Sequence, residues 1–208
     1  MKRVVLIDVD GVLVHSHFHA DPARRRKWNQ HLLEDMGVDP VQFTTLFSGG
    51  FDRAILGQES LIDTLDRFLP TVGYKGSTLD FVSYWLERDT NLDFRLFEGI
   101  KQLRASGKAH LFVATNQEHL RAGYLWRELG LGHVFEDMLY SARLGAAKPT
   151  RAYFEAAAKR LGPQDQVPLL FDDGAKVVDA ARDFGWEAVL YAGAGDFFSD
   201  PWVKAALG

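Results

Sequence analysis

No cysteine occurs among the 208 residues of the chain. It therefore has no disulfide framework, no thiolate nucleophile and no cysteine-ligated zinc. A general basic surface is missing as well: the formal net charge is -4, and a partner gripped through its phosphate backbone needs clustered Lys and Arg. The one basic cluster, Arg24-Arg25-Arg26-Lys27, is isolated and reads as a solvated helix face. No nucleic-acid partner is expected. Long apolar runs are also scarce. Met1-Lys2-Arg3 and the apolar residues after it open like a signal peptide, but Asp8 and Asp10 interrupt the run too early, and nothing else approaches a membrane span. The expectation is a cytoplasmic protein with no membrane partner, a monomer or a homodimer.

What is present is ordinary globular material, 47% hydrophobic and 25% charged. Its length suits one domain, or a core domain with a small insertion. The run Val4 to Val14 reads as a fully buried strand of a parallel sheet, where both faces are covered and alternation disappears. Asp8 and Asp10 leave its carboxyl end pointing the same way, and Gly11 lets the backbone turn sharply. Two carboxylates this close repel unless a cation, a shared proton or hydrogen bonds offset the repulsion. Two readings follow: a capped strand end with solvated acids, Asp-Gly being a common turn pair, or a divalent-metal site with a carboxylate nucleophile.

His15, His17 and His19 stand at alternate positions and could ligate a transition metal from an extended segment. No acid or cysteine completes the set, so they read as polar loop residues beside the site. From residue 21 to 92 the apolar spacing is helical. Helices are predicted from Asp21-Pro22 through Met36, from Asp39-Pro40 onward, over Gln58 to Leu69 and over Thr78 to Glu87. Beyond Asn91, strands and helices alternate. Strands are expected at Ala109 to Ala114, Met138 to Ser141, Val167 to Phe171 and Ala188 to Tyr191. Helices are expected at Glu98 to Ser106, Gln117 to Leu129, Arg151 to Leu161 and Ala175 to Phe184. This rhythm predicts an α/β fold, a Rossmann-like parallel sheet with helices on both faces, interrupted by an inserted helical block. The expected division is 1–15 and 93–208 for the α/β core and 16–92 for the insertion.

Three apolar strands end in polar residues: Asp8 and Asp10, Thr115 and Asn116, Asp172 and Asp173. In a parallel sheet these ends emerge along one edge, where ligands of open α/β sheets bind. Four carboxylates, a hydroxyl, an amide and the loop residue Lys148 would then converge. An all-oxygen, carboxylate-rich set favours a hard cation such as Mg2+. Lys148 makes sense beside it if an anionic substrate lies between, with Thr115 and Asn116 donating to its oxygens. The combination fits phosphoryl transfer, with an ionised Asp available as nucleophile.

Asp8-Val9-Asp10-Gly11-Val12-Leu13, Ala114-Thr115-Asn116, Ser141 through Lys148-Pro149, and Phe171-Asp172-Asp173 with Asp179-Ala180-Ala181 resemble, in order and spacing, the four motifs of the haloacid dehalogenase-like hydrolase superfamily. The helical block is similar to the cap of its phosphoglycolate phosphatase and β-phosphoglucomutase subgroup. The resemblance implies that Asp8 is nucleophile and metal ligand. It implies that Asp10 is the general acid/base, with a pKa raised toward neutrality and a backbone carbonyl offered to Mg2+. Thr115 and Asn116 would bind phosphate, Lys148 would steady the phosphoryl charge, and Asp172 and Asp173 would form the acidic metal end. Gly174, Lys176 and Val177 depart from the usual pattern, which leaves open which of the last two acids binds metal directly. The superfamily's dehalogenases lack an acid where Asp10 stands, so a Mg2+-dependent phosphatase acting on a small phosphorylated metabolite is expected. A phosphomutase using the same residues and a non-catalytic phospholigand- or partner-binding protein are the alternatives. His17, His19, Arg24 and Arg53 are the candidate substrate contacts.

Overall fold

In the computed structural model, which describes residues 2–16, 21–26 and 28–208, every residue of β1 (Arg3–Ile7) is buried. The strand has parallel neighbours on both edges and helices on both faces, and so shows no polar alternation. After β1 the helical block comprises a 3-10 turn at Pro22–Arg24, α1 (Leu32–Met36), α2 (Pro40–Phe43) running into a 3-10 turn at Thr44–Ser48, α3 (Asp52–Ile55), α4 (Leu61–Phe68) and α5 (Thr78–Arg88). Then follow α6 (Phe94–Ala105), β2 (Ala109–Thr115), α7 (His119–Arg127), β3 (Asp137–Tyr140), α8 (Ser141–Leu144), α9 (Arg151–Leu161), β4 (Leu169–Asp172), α10 (Ala175–Asp183), β5 (Glu187–Leu190), α11 (Ala194–Ser199) and α12 (Pro201–Leu207).

The sheet order is β3-β2-β1-β4-β5, all parallel. Val5 and Ile7 pack with Leu96 and Ile100 of α6 and Phe197 of α11, whereas Val4 and Leu6 pack on the other face with Phe154 of α9 and Val178 of α10. The fold is therefore the expected Rossmann-like α/β sheet covered on both faces. Connections run outward from β1 on one side and return to its other side at β4, so the topological switch point lies between β1 and β4. Register brings acidic residues there: Ile7 is level with Val113 of β2 and with Phe171 of β4, putting Asp8 and Asp172 one residue beyond the paired level.

The helical cap has its own core, with Trp28, Phe43, Leu65, Phe81 and Trp85 in one cluster. The two crossing segments pair through a Val14–Leu92 bridge, and His15 N–H donates to Asn91 O at 2.8 Å. A second attachment is Ser141 Oγ, which donates to the Ile55 carbonyl at 2.7 Å. Beside it Gly57 has φ +69°, and a Cβ there would lie 2.3 Å from the Ala142 carbonyl oxygen. Gly37 has a similar φ of +67° with nothing within 4 Å. Gly37→Ala is thus expected to show only backbone strain, about 1–2 kcal/mol. Gly57→Ala should cost more in denaturant unfolding, because the cap must also shift off α8. Equal losses would mean that the contact is slack.

Several boundaries differ from the sequence expectations. The Val4 to Val14 run is strand only to Ile7; Val12 to Val14 are buried in a tight turn in which Gly11 N–H donates to Val14 O at 2.8 Å. The helix expected from Asp21 through Met36 is broken. The Asn91 side-chain amide donates to the carbonyls of Arg24 and Arg25, removing them from helical pairing. Ser141 opens α8 instead of closing β3. Helices α11 and α12 were not anticipated, although Asp200-Pro201 opens α12 with the same capped proline start as Asp39-Pro40. Among the described residues no helix is long and apolar enough to cross a membrane.

Candidate active site

Asp8 follows β1 directly, and its side chain is 10% exposed. Its Oδ1 accepts from Val9 N–H at 2.7 Å and lies 3.0 Å from Lys148 Nζ. Lys148 Nζ also donates to Asp172 Oδ2 at 2.5 Å and to the Ala114 carbonyl at 2.8 Å. The other oxygen of Asp172 accepts from Gly174 N–H at 2.9 Å, so both of its oxygens are engaged. Asp173 is exposed, and Gly11 is the residue that makes room for it: a Cβ at Gly11, where φ is +85°, would lie 1.9 Å from Asp173 Oδ2. Ligand atoms of Asp8, Asp172 and Asp173 all lie within 4.8 Å of one another.

Three carboxylates face one lysine, and the imbalance registers in their proton affinities. Burial, and after it the charges of Asp172 and Asp10, push the Asp8 carboxyl up to about 7 against the pull of Lys148. Burial and the neighbouring Asp172 raise Asp173 as well. Lys148 is buried, which favours its neutral form, but Asp8 and Asp172 more than offset this and hold it protonated. A crowded all-oxygen donor set that retains protons for want of positive charge fits a hard divalent cation. A linkage follows. Between about pH 4 and pH 7 the cation-free native state binds a proton at Asp8 that the unfolded chain lacks, so stability falls as pH rises through that window. Mg2+ binding at pH 6 should therefore release close to one proton or more, and at pH 8 far less. Calorimetric titration in buffers of different ionisation heat measures this; pH-independent release would contradict it.

Thr115 is buried at the end of β2, and its Oγ1 lies 3.4 Å from Gln117 Nε2. The Asn116 side chain braces the lysine loop: its Nδ2 donates to Lys148 O at 2.9 Å and its Oδ1 accepts from Lys148 N–H at 2.8 Å.

Asp10 has a different environment from the one expected. Arg121 of α7 grips it with both terminal nitrogens at 2.8 Å, Arg26 of the cap forms a further ion pair, and Gln117 Nε2 donates to Oδ2 at 2.5 Å. Burial works to raise its pKa, but Arg121 and Arg26 prevail and hold the carboxyl well below the usual carboxylate range. The raised pKa expected for Asp10 is thus absent in this state, because two guanidiniums stabilise the anion. Asp89 closes a ring of ion pairs, its Oδ1 2.9 Å from Arg26 Nε and its Oδ2 3.2 Å from Arg121 Nε. Arg26 precedes the cap helices and Asp89 follows them, so the ring ties both ends of the cap to α7 and to Asp10. Arg26 is therefore no part of a solvated helix face.

A cavity of about 150 Å3 lies between cap and sheet, walled by Asp10, Trp28, Phe51, Trp85, Gln117 and Arg121 among others. Of the candidate substrate contacts, His17 and His19 lie outside the described residues. Arg24 turns toward the end of the second crossing segment, where its Nη2 pairs with buried Asp93 at 3.1 Å. Arg53 is exposed beside Glu59 at 3.8 Å, on a different depression of the cap. The structure thus gathers Asp8, Asp10, Thr115, Lys148, Asp172 and Asp173 at one sheet edge, with Asn116 behind the lysine loop. It does not bring Arg24 or Arg53 to them.

A sequence model described as haloacid dehalogenase-like hydrolase matches residues 2–185. The chain belongs to the haloacid dehalogenase-like hydrolase family. Among relatives of this haloacid dehalogenase-like hydrolase, fructose-1-phosphate phosphatase YqaB of Escherichia coli (strain K12) is 31% identical over 83 residues, 40% of this chain and 44% of that protein. The match therefore spans less than half of the curated relative. A HAD family enzyme, bt-2542 from Bacteroides thetaiotaomicron, solved in complex with magnesium and inorganic phosphate, superposes with a TM-score of 0.72 at 18% identity, covering 96% of this chain and 98% of that one. A predicted HAD-like family hydrolase from Porphyromonas gingivalis gives 0.73 at 20% identity, covering 99% and 98%. At these identities the superpositions speak for the fold. Sequence reasoning about this haloacid dehalogenase-like hydrolase missed Arg26, Asp89, Gln117 and Arg121. A signal existed for Arg121: a charged residue beside Ala122 on the buried face of α7.

Proposed function

We propose that this hydrolase is a Mg2+-dependent phosphatase that cleaves a small phosphorylated metabolite through an aspartyl-phosphate on Asp8. The observation that carries this reading is the placement of Asp8, with Lys148 Nζ 3.0 Å away, Asp172 and Asp173 within metal-sharing distance, and Asp10 two residues on. Asp8 attacks phosphorus, the bond from phosphorus to the ester oxygen breaks, and Asp10 delivers a proton to the departing alkoxide. Water then attacks phosphorus, Asp10 takes its proton, and Asp8 is released with phosphate. Lys148 offsets charge on the phosphoryl oxygens, and Asp172 holds Lys148 in place. Asp10 is ionised in the ring, the form that receives the proton from water. A phosphoryl dianion beside it raises its proton affinity by like-charge repulsion, which supplies the acid form for the first step.

Asp8 and Asp173 would hold the cation directly, since both oxygens of Asp172 are committed; the family pattern adds the Asp10 backbone carbonyl. When bound, Mg2+ would neutralise phosphoryl charge. The magnesium and phosphate complex of the Bacteroides protein and the activity named for the Escherichia coli relative support this reading. The test is phosphate release over a panel of phosphomonoesters, with Mg2+ and after chelation. Release that requires Mg2+ is expected. Conversion of a hexose 1-phosphate to its 6-phosphate without net release would mark a mutase instead, and binding without turnover would mark a non-catalytic protein.

A further inference from the structure

A second cleft, which the proposed reaction does not use, is lined by residues of α7, β3 and α8. Its volume is about 270 Å3, and it shares no lining residue with the cavity at Asp10. Gly123, in the middle of α7, forms part of its wall. Glycine weakens a helix interior, so a reason for the missing side chain is expected. Gly99 of α6 has one in the packing, since a Cβ there would lie 2.5 Å from Phe198 Cζ. Gly123 has no such reason: its backbone is helical, and within 4 Å a Cβ would meet only the end of the Arg127 side chain, with Nη2 at 3.2 Å. The packing does not require this glycine, whereas open space beside the Arg127 guanidinium does.

The charges of the cleft point to what would sit there. Arg127 is exposed, and its guanidinium has no hydrogen bond or ion pair among the described residues. Arg143 Nη1 and Arg160 Nε sit on the two oxygens of one carboxylate, Asp137, at 2.6 and 3.0 Å. Among the described residues, Arg127, Arg143 and Arg160 are thus paired with one acid between them, on a chain whose formal net charge is -4. Trp126, Met138 and Tyr140 supply apolar surface in the same cleft. The Tyr140 ring meets that of His119 edge-on at 5.6 Å, and its hydroxyl lies 3.2 Å from His119 Nδ1.

We infer that this cleft binds a small organic anion, an aromatic ring bearing a carboxylate or phosphoryl group, and that Arg127 grips its oxyanion. A planar guanidinium with no internal partner is suited to a carboxylate or phosphoryl oxygen, and the charge left over at Arg143 and Arg160 adds to the attraction. The flat surfaces of Trp126 and Tyr140 favour a ring as the body of the ligand. A void of about 150 Å3 holds a benzene-sized guest, so this cleft has room for the ring and its head group. The site is independent of the phosphatase reading.

The test is calorimetric titration of the full chain with phenylphosphonate, benzoate, inorganic phosphate and benzyl alcohol, in chelator. Without a cation, the sheet edge sets three carboxylates against one lysine and repels anions, so binding there does not confuse the result. At least one of the two aromatic anions should bind at millimolar concentration or below, more tightly than both inorganic phosphate and benzyl alcohol. Arg127→Gln should weaken it about ten-fold, the worth of a charge-assisted hydrogen bond at an open site, and Arg53→Gln, on the cap, should leave it unchanged. Gly123→Ala should bind the anion more weakly while unfolding at a higher denaturant concentration than wild type. Absence of binding by both aromatic anions overturns the proposal, as does affinity kept in Arg127→Gln. Equal losses in Arg127→Gln and Arg53→Gln would reduce the effect to overall charge and overturn it too. So would inorganic phosphate or benzyl alcohol binding as tightly as the aromatic anions, or Gly123→Ala that is less stable than wild type with affinity unchanged.

Discussion

Asp8→Asn is expected to lower phosphate release by on the order of 10^4-fold or more, because removal of a covalent nucleophile leaves only binding and charge stabilisation. The amide is nearly isosteric, and Lys148 keeps its bonds to Asp172 and to the Ala114 carbonyl. The variant should therefore fold. Without divalent cation and above about pH 7 it should be at least as stable as wild type, since a buried carboxylate pressed by Asp172 and Asp10 has been removed. The pairing of lost activity with retained stability separates a nucleophile from a structural acid. Turnover within ten-fold of wild type would contradict the assignment.

Asp10→Asn is expected to cost about 10^2- to 10^4-fold in kcat on alkyl phosphates, the usual worth of a positioned general acid and base. The loss should be smaller on an aryl phosphate, whose phenolate departs without needing a proton. The comparison matters because pairing with Arg121 and Arg26 favours the anion of Asp10, whereas the first step of the proposed reaction needs its acid form. A loss equal on both ester classes would mean that Asp10 serves mainly to anchor the ring with Asp89, and the proton would have to come from elsewhere. Thermal unfolding of the same variant should show some destabilisation, since the two arginines would retain Asp89 as their only carboxylate in the ring.

The candidate site at the sheet edge was legible because its parts stand at a recognisable place: the first polar residues after apolar strands. Asp8, Thr115 and Asp172 each follow or end a buried strand, and parallel register alone brings Ile7, Val113 and Phe171 level. Lys148 was legible through its spacing in the family motifs. The partners of Asp10 were not. Arg121 lies 111 residues away and Gln117 107, on a helix start and a loop whose local pattern only announces an amphipathic helix. Arg26 was misread because a run of four basic residues is ordinarily a solvated face; its side chain is in fact 13% exposed and doubly paired. The broken helix before Met36 has a related cause. Propensity favoured helix, but tertiary bonds from Asn91 took the carbonyls of Arg24 and Arg25. Val12 to Val14 show the converse error, in which an apolar run reported burial and was read as extended strand. Where a residue's role depends on a distant charge, local sequence pattern carries its burial at best.

The central claim is that Asp8 takes up the phosphoryl group. Wild-type protein mixed with Mg2+ and a phosphomonoester, quenched in acid within one turnover and digested for mass spectrometry, should carry one phosphoryl group on the peptide containing Asp8. That modification should be removed by hydroxylamine, as expected of an acyl phosphate, and be absent in Asp8→Asn. Phosphate released in the same reaction with the Asp8 peptide unmodified at every quench time, or the phosphoryl group found on another residue, would contradict the account.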